Sequence, residues 1–299
     1  MGKAPISPSK KGGSVKMKSR GLSYFITRFF LVVWVIFALF PLYWTLITAF
    51  KTPIQIYKGP FYFPFIDFAP STDSWQFIFL GDGRVDFLRG LLNSILYAFF
   101  SALLSVFLGS ISAYGLARYS YKYGPFKNDD LNFLIVSQRI MPPIVAVIAL
   151  YLIFKFLHLL DSRFGMILAY TWFNLPLAVY LLTNFFASIP REIEYAAALD
   201  GYSKFDQLRK VILPLAAPGL ASAYLLSFFF AWNEFLMALM LTFRDAQTLP
   251  IIITTIRTQM EPKWWILSAI AVIALIPPSI VVLYLDKYLI KGTLFGGVR

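Results

Sequence analysis

Between Arg28 and Lys51 the chain runs for 22 residues without a charge, FFLVVWVIFALFPLYWTLITAF. At about 1.5 Å per residue, one helix of that length crosses the roughly 30 Å hydrocarbon core of a bilayer while bonding all of its own backbone groups. The feature recurs along the chain. Residues 90–117, 164–190 and 264–285 hold no charge at all, while residues 131–154 and 215–243 hold one each, Arg139 and Glu234. This pattern predicts an all-α integral membrane protein with six transmembrane helices. Composition agrees: 59% of the 299 residues are hydrophobic, 14% are charged and the mean hydropathy is +0.68, which excludes a soluble domain of this size.

The net charge of +12 would suit a nucleic-acid partner, but its distribution argues against one. Lys3, Lys10, Lys11, Lys16, Lys18, Arg20 and Arg28 stand in the first 28 residues with no acid among them. A basic segment just before an apolar run is a topology signal. With the N-terminus inside, the cytoplasmic segments carry 17 Lys and Arg against 9 outside. That bias predicts N-in, C-in and puts residues 190–214, between the fourth and fifth spans, in the cytoplasm. The first run is too long, starts too late and lacks a small-x-small site before Lys51, so it is expected as an uncleaved span. The expected organisation is a basic cytoplasmic tail over 1–28, then the first span and an aromatic-rich extracytoplasmic loop over 29–89. Five further spans follow over 90–290, the last kinked or unwound at Pro277-Pro278, and a cytoplasmic tail over 291–299.

There is no cysteine, so disulfides and thiolate metal sites are excluded, and the lone His158 is expected at the surface of a short loop. G-x-x-x-x-G-K-[ST], H-E-x-x-H and G-x-S-x-G are all absent. The chain is therefore expected to be no enzyme and to hold no cofactor or metal; if ATP drives it, a separate subunit binds the nucleotide. Arg139 and Glu234 are the two ionisable groups deep in apolar spans. Placing such a group near a helix centre costs roughly 2.5–3.5 kcal/mol, so each needs a partner or a wet cavity. They either pair with each other or with backbone carbonyls, or they edge a translocation path. Asn93 is placed for a helix–helix hydrogen bond.

Residues 190–220, PREIEYAAALDGYSKFDQLRKVILPLAAPGL, are where charges crowd between apolar runs. Pro190 suits a first helical turn, and Glu192 and Glu194 sit where the helix dipole favours negative charge. Ile193, Ala196, Ala197 and Leu199 form an apolar stripe, and Gly201 is placed to end the helix in a left-handed conformation. Ser203 with Asp206 is a fresh N-cap, followed by an apolar face of Phe205, Leu208, Val211 and Ile212. Leu213-Pro214 then returns the chain to hydrocarbon. On these grounds alone the stretch is two short amphipathic helices of a cytoplasmic loop.

The order Ala196-Ala197, Asp200-Gly201 and Leu213-Pro214 resembles the "EAA" loop of binding-protein-dependent ABC importer permeases, with Tyr195 where that family usually has glutamate. Asn93-Ser94, residues 113–118, Met141-Pro142-Pro143, Trp232-Asn233-Glu234-Phe235 and the ending Gly296-Gly297-Val298-Arg299 fall in the order expected of the carbohydrate-uptake branch, whose maltose-permease G-like subunits this chain resembles over roughly residues 90–299. The resemblance implies a coupling helix at 190–214 that seats in an ATPase, and a tail at Gly296, Gly297 and Val298 that reaches the ATPase dimer. It implies partners too: a second permease, two ATPase subunits that hold ATP and Mg, and an extracytoplasmic solute-binding protein. Trp172, Asn174, Trp232 and Asn233, aromatic rings beside amides, together with Arg139 and Glu234 suit a saccharide path. The rivals are an ion-coupled secondary transporter using Arg139 and Glu234, and a purely structural membrane subunit.

Overall fold

A computed structural model describes residues 20–122, 124–257 and 262–296. Among the described residues the secondary structure is predominantly helical, and an isolated bridge joins Pro64 and Phe68. In chain order the helices are α1 Arg20–Thr48, α2 Pro53–Lys58, α3 Asp73–Phe79, α4 Arg84–Arg118, α5 Asn128–Ser137, α6 Pro143–Phe156, α7 Arg163–Ser188, α8 Arg191–Leu199 and α9 Lys204–Asp206. After a π-helical turn at Gln207–Ile212 come α10 Leu213–Leu215, α11 Ala217–Trp232, α12 Leu236–Leu241, α13 Leu249–Arg257 and α14 Trp264–Gly296. Four of them, α1, α4, α7 and α14, are long and apolar enough to cross a membrane. A fifth span results if Lys204–Leu215 and Ala217–Trp232, bent by 73°, are taken together.

The centre of the bundle is the pair α4 and α7, with α11 laid against both and α14 outside α11. One side of α4 makes this possible. Gly90, Ser94, Ala98, Ala102, Ser105, Gly109 and Ala113 recur every three or four residues and all are buried. Small residues at that spacing let helix backbones approach closely in lipid, where packing rather than water exclusion drives association. A methyl group at Gly109 would stand 3.0 Å from the Ala178 Cβ of α7, so the contact has no room for a side chain. By contrast, α1 packs chiefly on α14 and turns nearly all its side chains outward, as a lipid-facing helix does. Its end is tied down at Lys51, whose ammonium donates to the Phe61 carbonyl at 2.7 Å and lies 4.2 Å from the Trp44 ring. Burial lowers the pKa of that lysine.

Two of the expected spans need correction. Residues 131–154 form no continuous span: α5 ends at Ser137 and α6 starts at Pro143, because Pro142 and Pro143 supply no N–H to the carbonyls of Gln138 and Arg139. Likewise α11 stops at Trp232 and α12 restarts at Leu236. Pro277-Pro278, expected as a kink or unwound point, is not unwound, since both prolines stay within one helix. That helix runs on into residues 291–296 of the expected tail. Gly296 is its last residue, and Gly297 and Val298 lie outside the described residues.

Candidate functional site

The site is built where α4 and α7 end beside α8. Glu194 is buried on the inner face of α8, where its carboxylate accepts from the Tyr114 hydroxyl at 2.9 Å and forms a very short ion pair with the Arg118 Nε. Arg118 also donates through Nη2 to the Ile189 carbonyl at 3.0 Å, just past the end of α7. One arginine therefore fastens the last turn of α4 both to α8 and to the end of α7. Around this polar knot Ala113, Tyr114, Leu182, Phe186, Ile189 and Ile212 form a separate apolar cluster.

Gly201 ends α8 at φ +85°, a left-handed backbone that L side chains rarely adopt. The Tyr202 N–H reaches the Ala197 carbonyl and the Gly201 N–H the Ala198 carbonyl, both at 3.1 Å, which is a complete Schellman cap. Ser203 opens the next turn: its Oγ accepts the Asp206 N–H at 3.2 Å and donates to the Asp206 carboxylate at 2.8 Å. Lys210 pairs with the same carboxylate at 2.8 Å, and these two hydrogen bonds hold Asp206 below the usual carboxylate range. The cap and the N-cap fall at the residues expected. The apolar faces do so only in part. Ile193, Ala197, Leu208, Val211 and Ile212 turn inward, but Ala196, Leu199 and Phe205 point out, Leu199 with 90% of its surface free. Together with exposed Tyr195 and Tyr202 they form an apolar lip around Gly201; Glu192 and Asp200 are exposed beside it, and Pro214 is exposed farther along.

The residues expected to line a path are scattered. Arg139 lies in the break between α5 and α6, its guanidinium 4.6 Å from the Phe173 ring of α7 and 4.5 Å from the Phe230 ring of α11. It does not pair with Glu234. That carboxylate accepts from the N–H groups of Met237 and Ala238 at 2.8 and 3.2 Å, and so caps α12. Trp232 is buried and stacked on Phe228, and Asn174 is buried with its amide donating to the Ser227 carbonyl at 3.2 Å. Trp172, two residues from Asn174 and on the other side of α7, is exposed, as is Asn233.

A profile of the family described as "Binding-protein-dependent transport system inner membrane component" matches residues 105–294, which take in α8, its cap and every residue of the knot. The chain belongs to that family. Among its relatives, the sulfoquinovosyl glycerol transport system permease protein SmoH of Agrobacterium fabrum is 33% identical, covering 87% of this chain and 89% of the relative. The trehalose transport system permease protein SugB of Mycobacterium tuberculosis is 35% identical, covering 88% and 93%. The fold also matches a crystal structure of a bacterial ABC transporter involved in the import of the acidic polysaccharide alginate, with TM-score 0.68 and 22% identity over 95% of this chain and 99% of that one. As a member of a permease family, the chain is a multi-pass inner-membrane transport component and not itself an enzyme. The ion-coupled alternative gains no support from these relatives.

At the other end of α4, this family member carries a second knot that sequence reasoning missed. Asp161, at φ 51°, accepts the N–H groups of Phe243, Arg244, Asp245 and Ala246 at 3.0–3.2 Å. Burial pushes its carboxyl up, but those four donors outweigh it and hold the pKa below the ordinary value. Asn93, expected to join two helices, does so by accepting from Arg163 of α7 at 3.0 Å, and it also donates to the Asp245 and Gln247 carbonyls, both at 2.9 Å. Ser94 accepts the Leu249 N–H at 2.8 Å and Tyr97 donates to the Ala246 carbonyl at 3.2 Å. Partners 70 to 155 residues apart leave no local signal in the sequence.

Proposed function

We propose that this chain is one permease of an ATP-driven, binding-protein-dependent importer for a sugar or sugar-like solute, and that residues 190–214 couple it to the ATPase. The observation that carries the reading is the exposed apolar set Tyr195 and Leu199 on α8, with Tyr202 and Phe205 just past its cap, on a helix that the Arg118–Glu194 pair bolts to α4. An exposed apolar patch on a short, rigidly mounted helix is a docking surface, and a push on it is passed to the spans through that buried bolt. The names of SmoH and SugB support a saccharide as cargo.

In this reading there are six crossings, with α5–α6 as the third and α11–α12 as the fifth, and both termini are inside. The geometry supports the alternation: the Arg118 knot and the Asp161 knot lie at opposite ends of α4, as the loops of such a topology would. Residues 90–290 are the transport core, residues 1–28 a cytoplasmic tail, and Gly296, Gly297 and Val298 reach the ATPases. The partners are a second related permease, two ATPase subunits that hold ATP and Mg, and an extracytoplasmic solute-binding protein. α1 meets lipid. The two permeases open outward as the ATPases close on ATP and inward after hydrolysis.

The test is purification of the chain with its co-expressed partners, followed by uptake in proteoliposomes. ATPase retained by the complex and saccharide uptake that needs both ATP and binding protein are expected. Uptake by this chain alone, or a reagent at Leu199 reacting from the outer face of the membrane, would overturn the reading.

A further inference from the structure

We propose that Arg139 is a specificity-determining residue that receives the anionic group of the transported solute, so that the cargo is an acidic saccharide bearing a carboxylate, sulfonate or phosphate. The inference rests on the saccharide-importer reading above and narrows it.

Arg139 is a cation set among apolar helices, and the protein supplies it with rings rather than an acid. The Phe173 and Phe230 rings, from two different helices, each lie about 4.5 Å from the guanidinium carbon. Such contacts fix the plane and position of the guanidinium without using up its hydrogen bonds. Nη1 is buried and has no hydrogen-bond partner. No carboxylate forms an ion pair with Arg139 among the described residues, and Glu234, the other ionisable group of these spans, is spent on capping α12.

The backbone points the same way. With Pro142 and Pro143 giving no N–H, the carbonyls of Gln138 and Arg139 have lost their helical donors. Irregular backbone at membrane depth is tolerated where it is buried in protein or lines a wet cavity. The flanking Ile140, Met141 and Ile144 are exposed in the chain alone, so the break is not buried within it. A helix break that presents oriented, unspent N–H donors is a receptor for planar, bidentate oxyanions, which arginine binds better than any other side chain. Hydroxyl groups of the same sugar can take the freed carbonyls.

The test uses the complete transporter, with its partner permease and ATPases, in detergent and without nucleotide. Binding is read by saturation-transfer NMR for a panel of uronic-acid, sugar-sulfonate and sugar-phosphate probes, each beside its uncharged parent. The expected result is that at least one acidic probe binds and its parent does not. Arg139→Gln should weaken that binding about tenfold or more, Arg139→Lys should keep part of it, and the subunit composition of the complex should stay unchanged. No binding by any acidic probe, equal binding of parent and acid, or indifference to Arg139→Gln would each overturn the proposal. So would loss of the partner permease from the Arg139→Gln complex, which would assign the missing anion to that subunit. Binding of uncharged sugars but no acidic probe by the unmodified transporter would refute the acidic cargo while leaving saccharide import standing. A complex whose ATP hydrolysis and uptake respond to no saccharide would refute both.

Discussion

Glu194 meets Arg118 across 76 residues of chain, and the two side chains keep only 9% and 6% of their surface free. Neither charge can be removed alone without stranding the other in a poorly hydrated place, a loss of about 3–5 kcal/mol for a buried pair. Glu194→Gln and Arg118→Met are each expected to lower the melting temperature of the purified transporter. The double variant should recover much of the loss, since a neutral pair leaves no buried charge. Melting curves of the three variants read this directly, and additive losses would mean that the two groups act independently.

Gly201 is needed for its backbone, not for space, because a Cβ there would meet nothing within 4 Å. At φ +85°, Gly201→Val forces a β-branched residue into a left-handed conformation at about 1–2 kcal/mol and loosens the Schellman cap. Gly201→Asn, which tolerates that region, should be much milder. The Val variant is expected to insert and assemble but to hydrolyse ATP with little uptake, as measured by paired ATPase and transport assays. Normal transport by the Val variant would argue against a coupling role for the turn.

How much of this was legible beforehand follows from the range of each signal. The uncharged runs mark α1, α4, α7 and α14, and Gly201 and Ser203 mark the end of α8 and the start of α9, because each of those features is decided by residues within a few positions of one another. Glu194 is a different case. Its place in the first turn of a helix suits the dipole, and the same residue is turned inward by an arginine that sequence spacing cannot pair with it. The apolar stripe of α8 failed for a related reason: small Ala197 is buried while large Leu199 is exposed, an order that packing within one chain would not produce and that a docking surface would. Pro142 and Pro143 stand in the middle of the third apolar run, yet hydropathy alone merged α5 and α6 into one span.

Asp161 gives a pH-dependent prediction. Its folded-state pKa is depressed, so the stability it contributes is present above the ordinary value near 3.9 and is lost as pH falls through the lower folded value. Asp161→Asn is expected to melt at a lower temperature than the unmodified protein at pH 6–7, and the gap should close below about pH 4. At neutral pH the loss should be about 2 kcal/mol, the scale of charge-assisted hydrogen bonds at a partly solvated site. Melting curves across that range test the sign; a gap that widens on acidification would contradict it.

Glu234 separates the importer from an ion-driven carrier. Its carboxylate caps α12 through Met237 and Ala238, a task an amide oxygen can share. Glu234→Gln is therefore expected to keep uptake within a few-fold of the unmodified protein, and Glu234→Ala to cost about 1 kcal/mol of stability, as for a lost N-cap. An ion-coupling carboxylate would behave otherwise, with uptake abolished by Gln at unchanged stability. Uptake and melting temperature measured on the same preparations decide between them.

The exposed apolar residues of α8 and α9 yield the sharpest test, because they separate docking from folding. Leu199 and Phe205 are 90% and 69% exposed, so replacing them removes almost no contact inside this chain. Surface substitutions of that kind usually alter stability by no more than about 0.5 kcal/mol. Against a partner the same change is costly, since a truncated anchor in a desolvated pocket loses about 2 kcal/mol or more. Leu199→Glu is expected to leave the melting temperature of the permease pair unchanged while the ATPase washes off during purification, and Phe205→Ala to do so more weakly. The readout is the ratio of ATPase to permease in the eluted complex. An unchanged ratio with Leu199→Glu would mean that the exposed lip faces lipid or solvent, and the coupling surface would have to lie elsewhere on the chain.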